Sequence, residues 1–286
     1  MPLERYRPAM FPEVEAFARR LKWFGYVKGI IRWHLDEGAP GSLWVWRHGR
    51  RLVAFCGIQY LSRGDAWLYG MRVAADVQNR GIARRFTAGL FDVCREAGRN
   101  WAGINTYVYR RPSPVYRIAD RLGMRLEATD ATDSFWKLPA SVSGPRPRRC
   151  AGIYRHYRAA GRRVVFHEHP GWLWSRIGPH SRHRVEAGGH RVAGVPVHIV
   201  RHGVIRESDG WYRSTTVNLL DRPADFREVL PALLAAGRGE HAGLALNYPF
   251  VWARELRRAA RAVVPGLRRG KNCWKSAWRI YGKDLG

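Results

Sequence analysis

Between residues 66 and 98, the spacing of apolar residues changes from that of a strand to that of a helix. Residues 66–73 are typical of a strand, and residues 74–80 form an irregular connection. Apolar residues then recur at helical intervals over 82–97, with Gly98 just past the predicted end. One side of this helix carries Ile82, Phe86, Leu90 and Val93. A strand, a tight connection and an amphipathic helix in this order predict an α/β fold.

The connection before this helix contains the pattern Gln78-x-x-Gly81-x-Ala83. A helix N-terminus presents unpaired N–H groups and a partial positive charge, and small residues let a phosphate come close to them. Further positive charge comes from Arg80, Arg84 and Arg85. Many helices begin at a glycine by chance, so it is the combination of strand, turn and helix that predicts a pyrophosphate site.

The elements around this unit complete a first domain. They are helices at 11–24 and 26–35, a hairpin of strands at 42–47 and 51–60, a strand at 101–109, a helix at 113–122, and one or two strands within 125–138. Strands of mixed direction with helices between them predict an α/β fold with a mixed sheet.

A stretch rich in Pro, Ser and Gly at 139–147 is typical of a linker. We therefore predict a first domain at 1–138, a linker at 139–150 and a second domain at 151–286. The second domain is predicted to contain strands at 191–201 and 211–220, a helix at 224–236, a strand at 243–247, a helix at 250–263 and a strand at 272–281. This order echoes that of residues 66–138 and favours an internal structural repeat.

The chain is strongly basic, with 50 Lys and Arg, 23 Asp and Glu, and a formal net charge of +27. Such a field attracts anions, including nucleic acid, anionic membranes and phosphorylated small molecules; an Arg-rich surface without a specific partner is the alternative. The helix predicted at 250–263 carries on one face Arg254, Arg257, Arg258 and Arg261. Because such a stripe can follow a phosphate backbone, nucleic acid, and tRNA in particular, is a candidate partner.

The cysteines Cys56, Cys94, Cys150 and Cys273 are widely spaced and form no C-x-x-C pair, so we expect neither a zinc site nor a disulfide framework. His167-x-His169 could place two imidazoles on one strand face, but only Glu168 stands near to complete a metal site, and we predict none. With no apolar signal core and no apolar run of about 20 residues, we expect a cytoplasmic protein without a membrane span. Nothing in the sequence specifies an oligomeric state.

The residues at 69–73 and 78–83 resemble the central motif of the GNAT acetyltransferase superfamily, R/Q-x-x-G-x-G/A. In register with the family's later strand and helix are Val108, Pro112, Val115, Ile118, Gly123 and Met124. The resemblance implies a splayed mixed sheet with acetyl-CoA in the splay. The backbone near Met71 and Val73 would hold the pantetheine arm and the thioester. The implied cofactor-binding residues are Met71, Arg72, Val73, Gln78, Asn79, Arg80, Gly81, Ile82, Ala83 and Arg84.

Two departures from the family pattern concern catalysis. The tyrosine that protonates the leaving thiolate in much of the family corresponds to Ala119, and the usual asparagine corresponds to Pro112. Tyr116, one helical turn earlier, is our substitute candidate for the general acid. Candidate general bases stand before the first strand, where the family often places acceptor-site residues: His34, Asp36 and Glu37. Each is otherwise an ordinary surface group, and positioning of the amine beside the thioester can supply much of the rate.

The second half has Asp221-Arg222-Pro223 between strand and helix in place of a glycine turn. A carboxylate there would repel a pyrophosphate, so we predict a degenerate GNAT-like repeat that braces the first domain or shapes the acceptor pocket. The leading hypothesis is an N-acyltransferase that moves an acetyl group from acetyl-CoA to a primary amine of a small molecule or amino acid. The alternatives are a tRNA-dependent aminoacyltransferase or RNA-associated protein on a tandem GNAT-like fold, and a binding module without catalysis.

Overall fold

The computed structural model of the chain describes residues 2–35, 40–108, 113–136, 144–167, 173–177, 181–207, 210–236, 243–264 and 273–286. The helices are α1 (Phe11–Arg20), α2 (Phe24–Leu35), α3 (Ile82–Glu96), α4 (Pro114–Arg121), α5 (Ile153–Ala159), α6 (Arg182–Ala187), α7 (Phe226–Ala236) and α8 (Ala253–Val263). The strands are β1 (Leu3–Arg5), β2 (Gly41–His48), β3 (Arg51–Tyr60), β4 (Asp65–Val73), β5 (Trp101–Tyr107), β6 (Arg125–Trp136), β7 (Arg148–Arg149), β8 (Val164–His167), β9 (Leu173–Arg176), β10 (Gly189–Val192), β11 (Val195–Glu207), β12 (Gly210–Leu219), β13 (Gly243–Pro249) and β14 (Cys273–Asp284). The predicted mixed α/β fold is confirmed.

The chain forms two compact units. The first comprises residues 1–105, 112–125 and 281–286, and the second comprises 106–111 and 126–280. These units do not separate at the linker predicted for 139–150. Nearly all of β6 belongs to the second unit, and the residues after 280 belong to the first. Composition can suggest a linker, whereas the compact units depend on which strands pair, and pairing is not visible in composition.

In the first unit the strand order is β1-β2-β3-β4-β5. Neighbours from β1 to β4 are antiparallel, and β4 and β5 are parallel. Parallel neighbours need a crossover connection, and α3 supplies it. Trp67 of β4 and Trp101 of β5 are fully buried, with ring centroids 6.2 Å apart. A Cβ added at Gly103 would lie 2.3 Å from the Trp67 ring, so only glycine fits beneath the two indoles.

In the second unit the strand order is β14-β6-β13-β12-β11-β10-β7, and β8 pairs separately with β9. The strands β12 and β13 are parallel, with α7 between them in the chain. Apolar residues of these strands and of α7 and α8 form one buried cluster, which includes Val217, Leu230, Leu246 and Leu256. The predicted order of strand, helix, strand, helix, strand is therefore present as β12-α7-β13-α8-β14.

One residue of the predicted arginine stripe on α8, Arg257, forms an ion pair in the interior of this unit. Arg257 donates from Nε and Nη2 to the carboxylate of Asp133 at 2.8–3.1 Å, and the Asp133 side chain is 0% exposed. Burying that carboxylate without a partner would cost several kcal/mol, on the order of 3–5. Arg254, Arg258 and Arg261 remain exposed. The stripe expected from helical spacing is therefore interrupted at its centre.

Candidate functional site

The strand β4 is bulged near its carboxyl end. Its pairing with β3 shifts between the pairs Tyr69↔Gly57 and Arg72↔Phe55, so two residues of β4 stand opposite one residue of β3. The first of the two, Gly70, has φ +66°. A Cβ there would lie 2.5 Å from Cδ1 of Ile30 on α2. The bulge therefore needs glycine both for its backbone angle and for the close approach of α2.

Beyond their buried tryptophans, β4 and β5 separate. Among the residues that the structure describes, the two strands pair only at 65–67 and 101–103. The strand β4 continues through Val73 and β5 through Tyr107. An opening between two parallel strands is the splay that the GNAT resemblance implies. This opening lies at the same end of β4 as the bulge, and the chain continues from that end to the beginning of α3.

The turn between β4 and α3 is built from left-handed backbone. Asn79 has φ +61° and Gly81, the residue that caps α3, has φ +74°. The side-chain amide of Gln78 donates to the carbonyl oxygen of Val73 at 3.0 Å and ties the turn to the end of the strand. Exposed around the turn are Gln78, Asn79, Arg80, Arg84 and Arg85.

The first turn of α3 holds no acidic residue. Its N–H groups and the surrounding guanidinium groups therefore favour an anion at this end of the helix. The opposite side of α3 is anchored by Ile82, Phe86 and Leu90, all buried. The helix axis is thus fixed by packing, and its N-terminus is left at the surface beside the splay. These features fit the pyrophosphate of acetyl-CoA.

The predicted cofactor-binding residues lie in two runs, 71–73 on β4 and 78–84 at the turn and the start of α3. In the first run, the side chains of Met71 and Arg72 leave β4 on opposite faces. The Met71 sulfur lies 3.8 Å from the hydroxyl of Thr87 on α3. The guanidinium carbon of Arg72 lies 4.0 Å from the centre of the Trp23 ring and 5.3 Å from that of Tyr26 on α2. Arg72 therefore belongs to the cofactor segment by its backbone and to the α2 face by its side chain. Sequence spacing did not reveal this, because Trp23 lies about fifty positions earlier.

Tyr116, the predicted general acid, lies on α4. That helix starts at Pro114 and is capped by Ser113, whose hydroxyl accepts from the Val115 N–H at 3.3 Å. The Tyr116 ring is partly buried and meets Tyr281 edge to face, with centroids 5.8 Å apart. Ala119 is fully buried and Pro112 lies outside the described residues. The role of Tyr116 stays a prediction.

Of the candidate bases, His34 is described, whereas Asp36 and Glu37 lie outside the described residues. The Nε2 atom of His34 is hydrogen-bonded to the hydroxyl of Tyr69, the residue before the bulge. Burial raises the pKa of Tyr69 well above its ordinary value, and nearby Tyr26 and Cys56 add to the effect. The phenol is therefore protonated at neutral pH and can donate to the imidazole. Tyr69 was missed from the sequence because only tertiary packing brings it to His34.

The second unit has no counterpart of this opening among its described residues. Its parallel strands β12 and β13 are paired as far as Asn218↔Asn247, one residue before β12 ends. The connection that follows contains Asp221, whose carboxylate lies 3.4 Å from Nδ1 of His156. A closed strand pair followed by a carboxylate gives a pyrophosphate no comparable site.

Within the described ranges, no group of three or more His, Cys, Asp or Glu residues is arranged to hold a metal ion. The spacing of His167 and His169, for which no metal site is predicted, is not tested by this, since His169 lies outside those ranges. No described helix is both long and apolar enough to cross a membrane.

An opened parallel strand pair that leads to an anion-binding helix start defines an α/β protein that binds a phosphorylated carrier. Residues 4–108 match the acetyltransferase (GNAT) family. These residues therefore form a GNAT acetyltransferase domain, and the chain is an acyl-CoA N-acyltransferase with acetyl-CoA as its co-substrate. No curated protein matches the chain.

One solved structure extends the likeness beyond this domain. A protein from Thermoplasma acidophilum, provisionally described as an acetyltransferase, is 15% identical with a TM-score of 0.56, covering 99% of this chain and 100% of its own. At this identity the similarity shows a shared fold, and it includes the second unit. A GCN5-related N-acetyltransferase from Kribbella flavida is 15% identical with a TM-score of 0.43, covering 97% of this chain and 70% of its own. A protein from Desulfovibrio desulfuricans, provisionally described as an acetyltransferase of the GNAT family, is 18% identical with a TM-score of 0.40. The match covers 44% of this chain and 86% of that protein's chain.

Proposed function

We propose that this protein transfers an acetyl group from acetyl-CoA to a primary amine of a small molecule or amino acid. The observation that carries the proposal is the opened end of β4 and β5, which leads directly to the glycine turn before α3. Acetyl-CoA supplies the acetyl thioester. The protein's part is to hold the pyrophosphate at 78–84 and to place the amine beside the backbone of 71–73.

The turn is suited to a pyrophosphate for three independent reasons. Its left-handed residues, Asn79 and Gly81, bend the backbone into a tight turn of the kind that can bind anions, and α3 adds the positive end of its dipole. Arg80, Arg84 and Arg85 surround it with exposed positive charge. Each dipole or charge contribution at an exposed site is modest, about 0.3–1 kcal/mol, so affinity depends on their sum.

Fewer structural observations support the assignment of the general base and the general acid than support the cofactor turn. An amine must lose a proton to attack a thioester, and the thiolate that leaves must gain one. His34, which is hydrogen-bonded to Tyr69 on the α2 face of β4, is the described candidate for the first step. Tyr116 on α4 is the candidate for the second. Correct placement of the amine would supply much of the rate even where either group contributes little.

The test compares two glycines that flank the same helix. Gly81 and Gly98 have φ of +74° and +72°, and neither has a neighbour closer than 3.4 Å to an added Cβ. We expect Gly81→Glu to weaken acetyl-CoA binding by at least about tenfold, because a carboxylate would face the pyrophosphate. Gly98→Glu suffers the same backbone strain at the other end of α3 and should bind as wild type. Calorimetry on protein freed of nucleic acid, judged by its ultraviolet absorbance ratio, measures both.

Loss of binding in both variants would point to unfolding and not to the turn. If the wild type itself failed to bind acetyl-CoA, the proposal would be contradicted. The tRNA-dependent alternative rests on the net charge of +27, and Arg257 no longer supports it. It would gain support from tRNA binding that weakens steeply with salt, measured on the same preparation.

A further inference from the structure

The last strand of each half of the chain pairs outside the series of elements that it follows. β6 follows the series β4-α3-β5-α4, and β14 follows the matching series β12-α7-β13-α8. β6 nevertheless pairs with β13, over seven consecutive residue pairs. β14 takes the place next to β5, where the carbonyl oxygen of Ala277 accepts from the N–H of Val108 at 2.9 Å. The two closing strands are therefore exchanged between the two series.

Both faces of β6 carry a buried carboxylate where the strand lies beside β13. Asp130 and Asp133 are three residues apart, and residues at this spacing on a strand point to opposite faces. The Asp130 side chain is 1% exposed and accepts from Nη2 of Arg162 at 2.8 Å. On the other face, the Asp133 carboxylate is paired with Arg257 of α8. Each face of β6 is therefore held by an ion pair to a different part of the second unit.

Hydrogen bonds to the neighbouring strands extend the match on the Asp130 face. The side chain of Asn247 on β13 donates from Nδ2 to Asp130 at 3.1 Å and to Oδ1 of Asn218 on β12 at 3.1 Å. Its own Oδ1 accepts from the hydroxyl of Thr132 on β6 at 3.0 Å. A slip of β6 by one residue would turn both of its carboxylates to the wrong faces. The polar side chains around β13 therefore fit one strand in one register.

β14 could not replace β6 beside β13 without loss of these ion pairs. Residues 273–283 contain no Asp or Glu and carry cations, among them Lys275 and Arg279. In that position β14 would separate Arg162 and Arg257 from their carboxylates and would add further positive charge. A buried charge that has lost its partner is strongly unfavourable, and so are like charges at close range. The exchanged arrangement is therefore the one that matches the buried charges of the second unit.

We propose that the two ion pairs of β6 select the closing strand of the second unit: they direct β6 to β13 and exclude β14. Buried ion pairs commonly add little stability compared with apolar side chains of the same size, but they penalise every arrangement that breaks them. Charge therefore acts here on the choice of strand more than on the stability of the fold. The selected exchange also leaves residues 281–286 to complete the first unit. This device does not depend on the proposed acetyl transfer.

The experiment detects which strand lies beside β13. Ser134 of β6 and Ala245 of β13 are paired residues, and paired positions of antiparallel strands are close enough for a disulfide. The full chain with Ser134→Cys and Ala245→Cys is unfolded in urea and refolded in a glutathione buffer. Peptide mapping of the folded fraction by mass spectrometry then measures the yield of the disulfide between positions 134 and 245. We expect nearly all chains with the natural charges to form it.

Neutralisation of the buried charges should lower this yield. The variants are Asp133→Asn with Arg257→Met, Asp130→Asn with Arg162→Met, and the two pairs combined. Because neutral side chains remove the penalty for a wrong strand, we expect the yield to fall at least about twofold in the combined variant and by less in each single pair. Urea unfolding of each variant, which should show one cooperative transition, establishes that the chain is folded.

Arg222→Met with Glu255→Gln is the matched control, because this ion pair of the same unit is exposed to solvent, and it should leave the yield unchanged. If the combined variant folds cooperatively and forms the disulfide as fully as the natural charges do, packing alone selects the strand and the proposal is overturned. An equal loss of yield in the control would also overturn it. If no neutralised variant unfolds cooperatively, the ion pairs are required for stability itself, and the proposal is again overturned.

Discussion

The buried thiols of the first unit make the stability of the fold depend on pH. Cys56 and Cys94 are both completely buried and free. Burial raises the pKa of Cys94 from 9.0 to about 12, and burial, together with Cys94, raises the pKa of Cys56 as well. A thiol that stays protonated in the folded state but ionises in the unfolded state stabilises the fold only while the unfolded thiol is also protonated.

Stability should therefore fall as pH rises above 9. Between pH 9 and 12 the unfolded chain has released the Cys94 proton that the folded chain keeps, and the contribution is constant below pH 9. Each such group lowers the free energy of unfolding by up to about 1.4 kcal/mol per pH unit. Urea unfolding at pH 8 and pH 10 should show a smaller decrease in Cys94→Ala than in wild type. Equal slopes in the two proteins would contradict the assignment.

Single residues also show where sequence reasoning reached its limit. The turn at 78–83 was predicted from local spacing, because a helix start and its glycine are neighbours in the chain. Tyr69 and His34 are 35 positions apart, and the hydrogen bond between them follows from packing of α2 on β4. The side chain of Arg72 was assigned with the cofactor segment, although it contacts Trp23 and Tyr26. Local patterns identify backbone features, whereas the direction of a side chain depends on its tertiary neighbours.

At the scale of elements, the bulge of β4 fixes how closely α2 approaches the sheet. We expect Gly70→Ala to destabilise the protein by about 1–3 kcal/mol and to impair turnover, since the methyl group would enter the space of Ile30. Gly49→Ala is the control, because Gly49 has φ +60° and no atom within 4 Å of an added Cβ. The difference between the two variants in urea unfolding isolates the steric part.

A second substitution, at Ile30, tests whether the steric contact causes the loss of stability. Ile30→Val in the Gly70→Ala background should recover part of the lost stability, because it removes the contacting Cδ1 atom. A double-mutant cycle with a coupling energy near zero would show that the strain lies in the backbone angle alone.

Elements with a long apolar period were predicted closely, and short ones were not. The helix predicted at 82–97 is α3, Ile82–Glu96, whose apolar side faces the sheet. The hairpin β8–β9 and the helices α5 and α6 were missed, since each has seven residues or fewer and the region is rich in Arg and His. The position of α5 depends on a contact 41 positions away, between the Tyr157 hydroxyl and Nδ1 of His198 at 3.0 Å.

At the scale of the whole molecule, the first unit is completed by residues from the far end of the sequence. Leu285 donates its N–H to the Asn100 carbonyl and accepts from Nε of Arg95, each at 2.8 Å. Lys283 donates to the Leu122 carbonyl at 2.6 Å, and Tyr281 and Leu285 are buried. The domain boundary at 138 was predicted from composition, and composition cannot show that residues 281–286 pack in the first unit.

We expect deletion of residues 281–286 to destabilise the first unit by at least about 3 kcal/mol, the scale of burying one or two large side chains. Acetyl-CoA affinity should fall with it, because α3 carries both Arg95 and the cofactor turn. Deletion of exposed Gly286 alone is the control and should change neither quantity. Urea unfolding and calorimetry measure both. A shortened protein with full stability and affinity would show that the return is dispensable.

The return of residues 281–286 to the first unit has a consequence for protein synthesis. A ribosome that has added residue 125 has synthesised most of the first unit, but the residues that complete it are added only after the second unit has been translated. The catalytic domain therefore cannot reach its final form during translation of its own segment. Nascent chains carry an incomplete first unit until residues 281–286 have been added, and premature termination in the second unit would leave the first unit incomplete as well.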